Sequence, residues 1–164
     1  MTEEQYRRIS APFRSANAAR ALGLADRGLA LLCYVTYPLC LLRLAVLKDA
    51  RVLPAVIVPG VSFVVVSLFR RFYPAPRPYE ALDIDPILHK DTEGRSFPSR
   101  HVFSAFVIAM TYLWLCPAMG VLFLLLGAAL AFCRVVGGVH FPRDVLAGAA
   151  IGILSGVIGY WIIY

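Results

Sequence analysis

Apolar runs at about residues 24–46, 52–69, 98–115, 118–136 and 142–164 dominate the 164-residue chain, and they restrict its fold more than any other feature. Crossing the hydrocarbon of a bilayer takes about 20 apolar residues in helical form. Lipid offers no partner to a backbone N–H or C=O, so such a run must satisfy its own hydrogen bonds as a helix. The expected fold is therefore all-α, a polytopic membrane helix bundle of about five transmembrane helices. Hydrophobic residues make up 60% of the sequence, against roughly 45–50% in soluble domains. One membrane domain over residues 1–164 accounts for the whole length.

Ahead of the first run, residues 1–22 carry Arg7, Arg8, Arg14 and Arg20 among Tyr6, Ile9, Phe13 and alanines. This is the pattern of an amphipathic helix lying in the membrane interface, broken near Pro12; a soluble, flexible tail is the alternative. The stretch is charged and has no apolar centre, so no cleavable signal peptide is expected. The net charge of +6 does not point to nucleic acid, because the arginines gather at the ends of apolar runs, where they suit headgroups or a phosphorylated substrate. Cys33, Cys40, Cys116 and Cys133 lie in or beside apolar runs without metal-ligand spacing, which suits packing residues. Gly148, Gly152, Gly156 and Gly159 form a small-residue stripe that permits close helix contact, within the monomer or across a dimer. The oligomeric state is not legible.

Five spans place the N-terminus, the polar stretch at 70–96 and the turn at 136–142 on one membrane side. The short turns at Lys48 and Cys116-Pro117 fall on the other. All candidate chemistry thus faces one way. In the polar stretch, Asp83, Asp85 and Asp91 are too irregularly spaced for a metal site, and His89 has no partner at ligand spacing, so a solvated loop is expected there.

The turn is the most informative segment: Cys133-Arg134-Val135-Val136-Gly137-Gly138-Val139-His140-Phe141-Pro142-Arg143-Asp144. Pro142 suits the first position of a helix, which puts Asp144 in the first turn and His140 just ahead of it. The carboxylate can then fix the imidazole tautomer and leave the other ring nitrogen available. The helix start and Arg134 favour an anion beside that nitrogen. An oriented histidine facing an anion is the makings of a nucleophile; a basic loop at the membrane edge is the plain alternative.

Three clusters stand in order: Arg70-x6-Arg77-Pro78, Pro98-Ser99-Arg100-His101 and Arg134-x5-His140-x3-Asp144. Together they resemble the signature of the type-2 phosphatidic acid phosphatase superfamily, Lys-x6-Arg-Pro, Pro-Ser-Gly-His and Ser-Arg-x5-His-x3-Asp. The resemblance covers residues 70–144. It implies a membrane lipid phosphatase in which His140 is the nucleophile, forming a phosphohistidine, with Asp144 orienting it. His101 would protonate the leaving oxygen and later activate water. Arg70, Arg77, Ser99 and Arg134 would hold the phosphate. It implies no metal and no cofactor, since guanidiniums supply the positive charge that an anionic ester requires.

The chain departs from that pattern at Arg70 for lysine, Cys133 for serine and Arg100 for glycine. Arg100 could reach a second phosphate or a headgroup, and so joins the candidate phosphate ligands, or it could point to the interface. The implied partners are the membrane and a lipid phosphate: phosphatidic acid, phosphatidylglycerol phosphate, a polyprenyl diphosphate or a prenyl-linked sugar phosphate. A non-catalytic protein that binds or transports lipid phosphates is the rival reading. The expected location is a membrane, that of a bacterial cell by the resemblance. The N-terminal arginines argue for a cytoplasmic site, whereas many relatives act at the outer face.

Overall fold

Pro117 and Pro142 each open a helix, where the absent N–H costs no hydrogen bond. The structure is a computed structural model that describes residues 1–89 and 93–164. Asp91, expected in a solvated loop, lies outside the described residues. The helices are α1 (Glu3–Ser10), α2 (Ala16–Val46), α3 (Val52–Phe72), α4 (Pro78–Ala81), α5 (Arg100–Leu115), α6 (Pro117–Val136) and α7 (Pro142–Val157). A π-helical stretch, Ile158–Ile163, continues α7, and no β-strand occurs among the described residues.

Four helical segments are long and apolar enough to cross a membrane: α2, α3, α6 and Pro142–Ile163. The remaining apolar segment, expected as a span over 98–115, is α5, with only 16 residues. Every residue from Val102 to Tyr112 is buried, so α5 is the core around which the others stand. It packs most extensively on α6 and α7. Large side chains elsewhere, such as Leu31, Val61, Leu125 and Leu146, are exposed, as suits helices that face lipid.

Pro98 was the expected first residue of this helix; instead Ser99 is its N-cap and the helix begins at Arg100. The reason is Arg70, whose guanidinium donates to the carbonyls of Arg95, Ser96 (3.1 Å) and Pro98 and holds them out of helical geometry. The expected interfacial helix at 1–22 also divides differently. Its break falls at Ala11–Phe13, but from Ala16 onward the chain is one helix with the first span. Nothing between Ala16 and Leu24 stops a helix, and Leu22 is buried against Cys133 and Val136 of α6.

The short α1 is docked on the bundle's polar end. Tyr6 is fully buried, and its hydroxyl donates to the Asp85 carbonyl at 3.3 Å. The Asp83 N–H donates to Glu3 Oε1 at 3.1 Å, and Arg14 Nη2 donates to the Asp85 carbonyl at 2.9 Å. Beneath Tyr6 lies Gly138, whose φ of +77° and clearance of 2.7 Å from the Tyr6 hydroxyl at the Cβ position both demand glycine. The glycine stripe of α7 faces α5 within the monomer: a Cβ on Gly148 would stand 2.6 Å from the Ser99 carbonyl oxygen, and one on Gly152 2.8 Å from that of Phe103.

Candidate active site

The three sequence clusters meet at one end of the bundle, at the C-terminal ends of α3 and α6 and the N-terminal ends of α5 and α7. His140 stands in the turn between α6 and α7 and is 2% exposed. Its backbone N–H donates to the Arg134 carbonyl at 3.3 Å, which closes the turn. Asp144, wholly buried, lies in the first turn of α7 and reaches back to the Phe141 N–H at 2.9 Å, capping its own helix.

Asp144 Oδ2 is 3.6 Å from His140 Nδ1, and a third side chain joins them. The Ser96 hydroxyl donates to Asp144 Oδ2 at 2.5 Å and lies 3.3 Å from His140 Nδ1. A hydroxyl has one hydrogen. With that hydrogen given to Asp144, Ser96 can only accept from the ring, so Nδ1 carries the proton and the lone pair is on Nε2. Burial pushes the His140 pKa down to about 4, with the charges of Arg77 and Arg134 adding to it and the Asp144 contact opposing it. The imidazole is therefore neutral near neutral pH, as a nitrogen nucleophile must be.

Ser96 was not among the expected site residues. It is positioned by a two-residue backbone pairing in which Ala75 N–H donates to the Gly94 carbonyl at 3.0 Å and Ser96 N–H to the Ala75 carbonyl at 2.8 Å. Arg70 anchors the same segment through the carbonyls already described. In this structure Arg70 is thus a brace for residues 95–98 as well as a positive charge near the site.

Arg77 is 4% exposed, and its Nη1 donates to the Val139 carbonyl at 3.0 Å, beside His140. Burial lowers its pKa from the ordinary arginine value. Arg134 is 2% exposed, and its Nε approaches Asp26 Oδ1 on α2 to 2.6 Å without hydrogen-bond alignment. Asp26 is a second residue the sequence did not single out for the site: a lone acid at the mouth of a span reads as an interface residue. Ser99 is wholly buried, and its N–H donates to the Asp144 carbonyl at 2.9 Å. Among the described residues, Ser99 Oγ and Arg134 Nη1 have no hydrogen-bond partner, although both are buried. Buried polar atoms in such a state are suited to a ligand that accepts hydrogen bonds.

His101 follows Ser99 by two residues, half-buried, with its ring edge-on to Tyr34 of α2 at 6.4 Å between centroids. Together with Arg134 it lines a cleft of about 860 Å³ between α2 and residues Ile87, Leu88 and His89. His89, expected to be solvated, is exposed and borders this cleft.

Arg100 does not join the cluster. It is exposed, and its guanidinium lies 5.5 Å from the ring centre of Phe63 on α3. Being on the helix face that meets α3, it takes the outward option of the two its position allowed. Arg143 likewise covers the Phe141 ring at 5.2 Å, and its Nε is 3.6 Å from Asp144 Oδ1. Among the described residues, no three His, Cys, Asp or Glu side chains stand close enough together to hold a metal ion.

The family model described as "PAP2 superfamily" matches residues 51–164. The bacitracin transport permease protein BcrC of Bacillus licheniformis is 39% identical over 66 residues, 40% of this chain and 32% of that protein. The undecaprenyl-diphosphatase BcrC of Bacillus subtilis (strain 168) is 27% identical over 126 residues, 74% of this chain and 65% of that one. The aligned stretches thus span about a third and just under two thirds of these curated relatives. The crystal structure of Aquifex aeolicus LpxE superposes with a TM-score of 0.74 at 29% identity, covering 96% of this chain and 93% of that one.

Proposed function

Since the chain belongs to the PAP2 superfamily and is an integral membrane protein, we propose that it is a lipid phosphate phosphatase. In this reading it removes a terminal phosphate through a phosphohistidine at His140 and needs no metal. The observation that carries the reading is the Ser96–His140–Asp144 arrangement. It gives a neutral imidazole of defined tautomer, set among Arg77, Arg134 and the buried hydroxyl of Ser99.

In this reading each residue has a part in the reaction. Arg77, Arg134 and Ser99 bind the phosphate oxygens, and Arg70 adds positive charge while bracing residues 95–98. Neutralising these oxygens lets a nucleophile approach an otherwise repellent dianion. His140 Nε2 bonds to phosphorus as the P–O bond to the lipid breaks. The departing oxygen keeps the electron pair and takes a proton from His101. The imidazolium character that develops at His140 is balanced by Asp144, through Nδ1–H and the Ser96 hydroxyl. In the second half, His101 removes a proton from water. The oxygen attacks phosphorus, the P–N bond breaks, inorganic phosphate leaves and His140 regains its lone pair. The lipid enters sideways from the bilayer, in keeping with the exposed apolar flanks of α2, and a bacterial cell membrane is the expected setting.

The test is phosphate release from a panel of lipid phosphates by the purified protein, with and without EDTA. Turnover unchanged in EDTA, an acid-labile and base-stable phosphoenzyme, and loss of both in His140→Ala are the expected results. His101→Ala should slow turnover by about 10²–10⁴-fold. A protein that only binds or carries lipid phosphates would bind them equally well as His140→Ala and release none in either form.

A further inference from the structure

Ser96 works within narrow limits. Its hydroxyl is 2.5 Å from Asp144 Oδ2 and 3.3 Å from His140 Nδ1, and both distances depend on where its backbone lies. Arg70 holds the carbonyls of Arg95, Ser96 and Pro98, and the Ala75 carbonyl accepts from the Ser96 N–H. The chain just ahead of Ser96 is held by Glu80, in the short helix α4, to which the proposed reaction assigns no part. Glu80 Oε2 accepts from the Arg77 N–H at 2.7 Å. Its Oε1 accepts from the N–H of Gly94, 14 residues away, at 2.9 Å. The first contact alone would be an ordinary helix cap. The second has nothing to do with capping, because it ties the start of α4 to the segment that carries Ser96. Gly94, at φ +65°, turns its carbonyl to the Ala75 N–H at 3.0 Å, so it is gripped on both sides two residues before Ser96.

We infer that Glu80 is a positioning residue for Ser96 and, through Ser96, for the proton on His140 Nδ1. Its consequence for turnover rests on the reading given under Proposed function. Both groups that meet Glu80 are N–H donors, so both of its terminal atoms must accept. A carboxylate does this, whereas an amide of the same shape sets an NH₂ against one of the donors. Among the described residues Glu80 makes no ion pair with a side chain, so the count and reach of its acceptors decide, and its charge does not. With the tie to Gly94 lost, residues 94–96 shift against the anchor at Arg70, and the Ser96 hydroxyl leaves Asp144. Its hydrogen is then no longer committed to the carboxylate. The tautomer with the proton on Nε2, which has no lone pair for phosphorus, gains population. Glu80 itself touches neither the substrate nor the reacting atoms.

The experiment uses the full chain in neutral detergent micelles with a panel of lipid phosphates as probes. The proteins are the parent, Glu80→Gln, Glu80→Asp, Ser96→Ala and the double variant of Glu80→Gln with Ser96→Ala. Ring ¹⁵N spectra of the histidines near neutral pH give a second readout, with the His140 signals assigned by their absence in His140→Gln. Glu80→Gln should lower kcat about tenfold and leave KM within about twofold. Glu80→Asp keeps the charge but is too short to span both donors, so it should lose as much. In the Ser96→Ala background, where Asp144 still stands near the ring, Glu80→Gln should cost nothing further. The His140 signals should show Nδ1 protonated in the parent and a mixture of tautomers in Glu80→Gln. An equal loss in the Ser96→Ala background means that Glu80 acts through Arg77 or the fold, and overturns the assignment. Full turnover in Glu80→Asp, or unchanged His140 signals in Glu80→Gln, overturns it as well. A parent that turns over no lipid phosphate overturns instead the phosphatase reading, and the ring signals then decide the role of Glu80 by themselves.

Discussion

Asp26 and Arg134 place opposite charges in contact at the wall of the cleft, with only 8% and 3% of their side chains exposed. Removing one member of such a pair leaves a bare buried charge, at a cost of about 3–5 kcal/mol. Asp26→Asn should therefore lower the unfolding temperature in detergent. Inorganic phosphate should restore more of that loss than it adds to the parent, because the anion compensates Arg134 in place of the carboxylate. Thermal unfolding with and without phosphate measures both effects. His140 carries a second prediction. Burial, reinforced by Arg77 and Arg134 against the pull of Asp144, holds its pKa near 4 in the folded protein, below the ordinary value of about 6.5. An unfolded chain takes up this proton at the ordinary value and the folded one only near 4. Folded stability therefore falls as pH drops through that window and is unaffected by this group above it. Unfolding temperatures across the window should show the decline, and His140→Gln should flatten it.

Among the elements, α5 and α7 are fitted to each other backbone to side-chain-free backbone, and this brings Ser99 against Asp144. A methyl at Gly148 must displace the Ser99 carbonyl, so Gly148→Ala should cost about 1–3 kcal/mol and lower kcat by shifting the start of α5. Gly60→Ala, at a site with nothing within 4 Å, should be neutral or mildly stabilising; unfolding temperature and turnover of the two variants give the comparison. The ends of α6 and α7 were legible because prolines mark them, and the glycine stripe announced close contact without naming its partner. The continuity of α2 was less so, because a charged face at 7–20 reads as an interface helix until Leu22 is seen against α6. In the site, Pro142 and the spacing after it put His140 just ahead of α7 and Asp144 in its first turn, whereas His101 was singled out only by the resemblance. Side-chain direction is another matter: Arg100 fits the motif by position yet turns to Phe63, and Ser96 enters only because Arg70 and Ala75 fold its segment back on Asp144.

On the scale of the molecule, every cluster with chemistry lies at one end, with α1 packed over it through Tyr6 and the opposite end left with short turns. The central α5, at 16 residues, is about 24 Å long, several ångströms less than the roughly 30 Å of bilayer hydrocarbon. The neighbouring α2, α3 and α6 are longer, and we predict that the shortfall falls at the end that carries Ser99 and His101, which puts these residues below the plane of the headgroups. A lipid must sink its phosphate to meet them, drawing water down with it. Reconstituted in phosphatidylcholine of increasing acyl length, the protein should lose turnover several-fold while its unfolding temperature changes little, because each added ångström of oil deepens the descent. The composition of the surrounding bilayer would then act as a throttle on the enzyme, setting its pace through thickness alone.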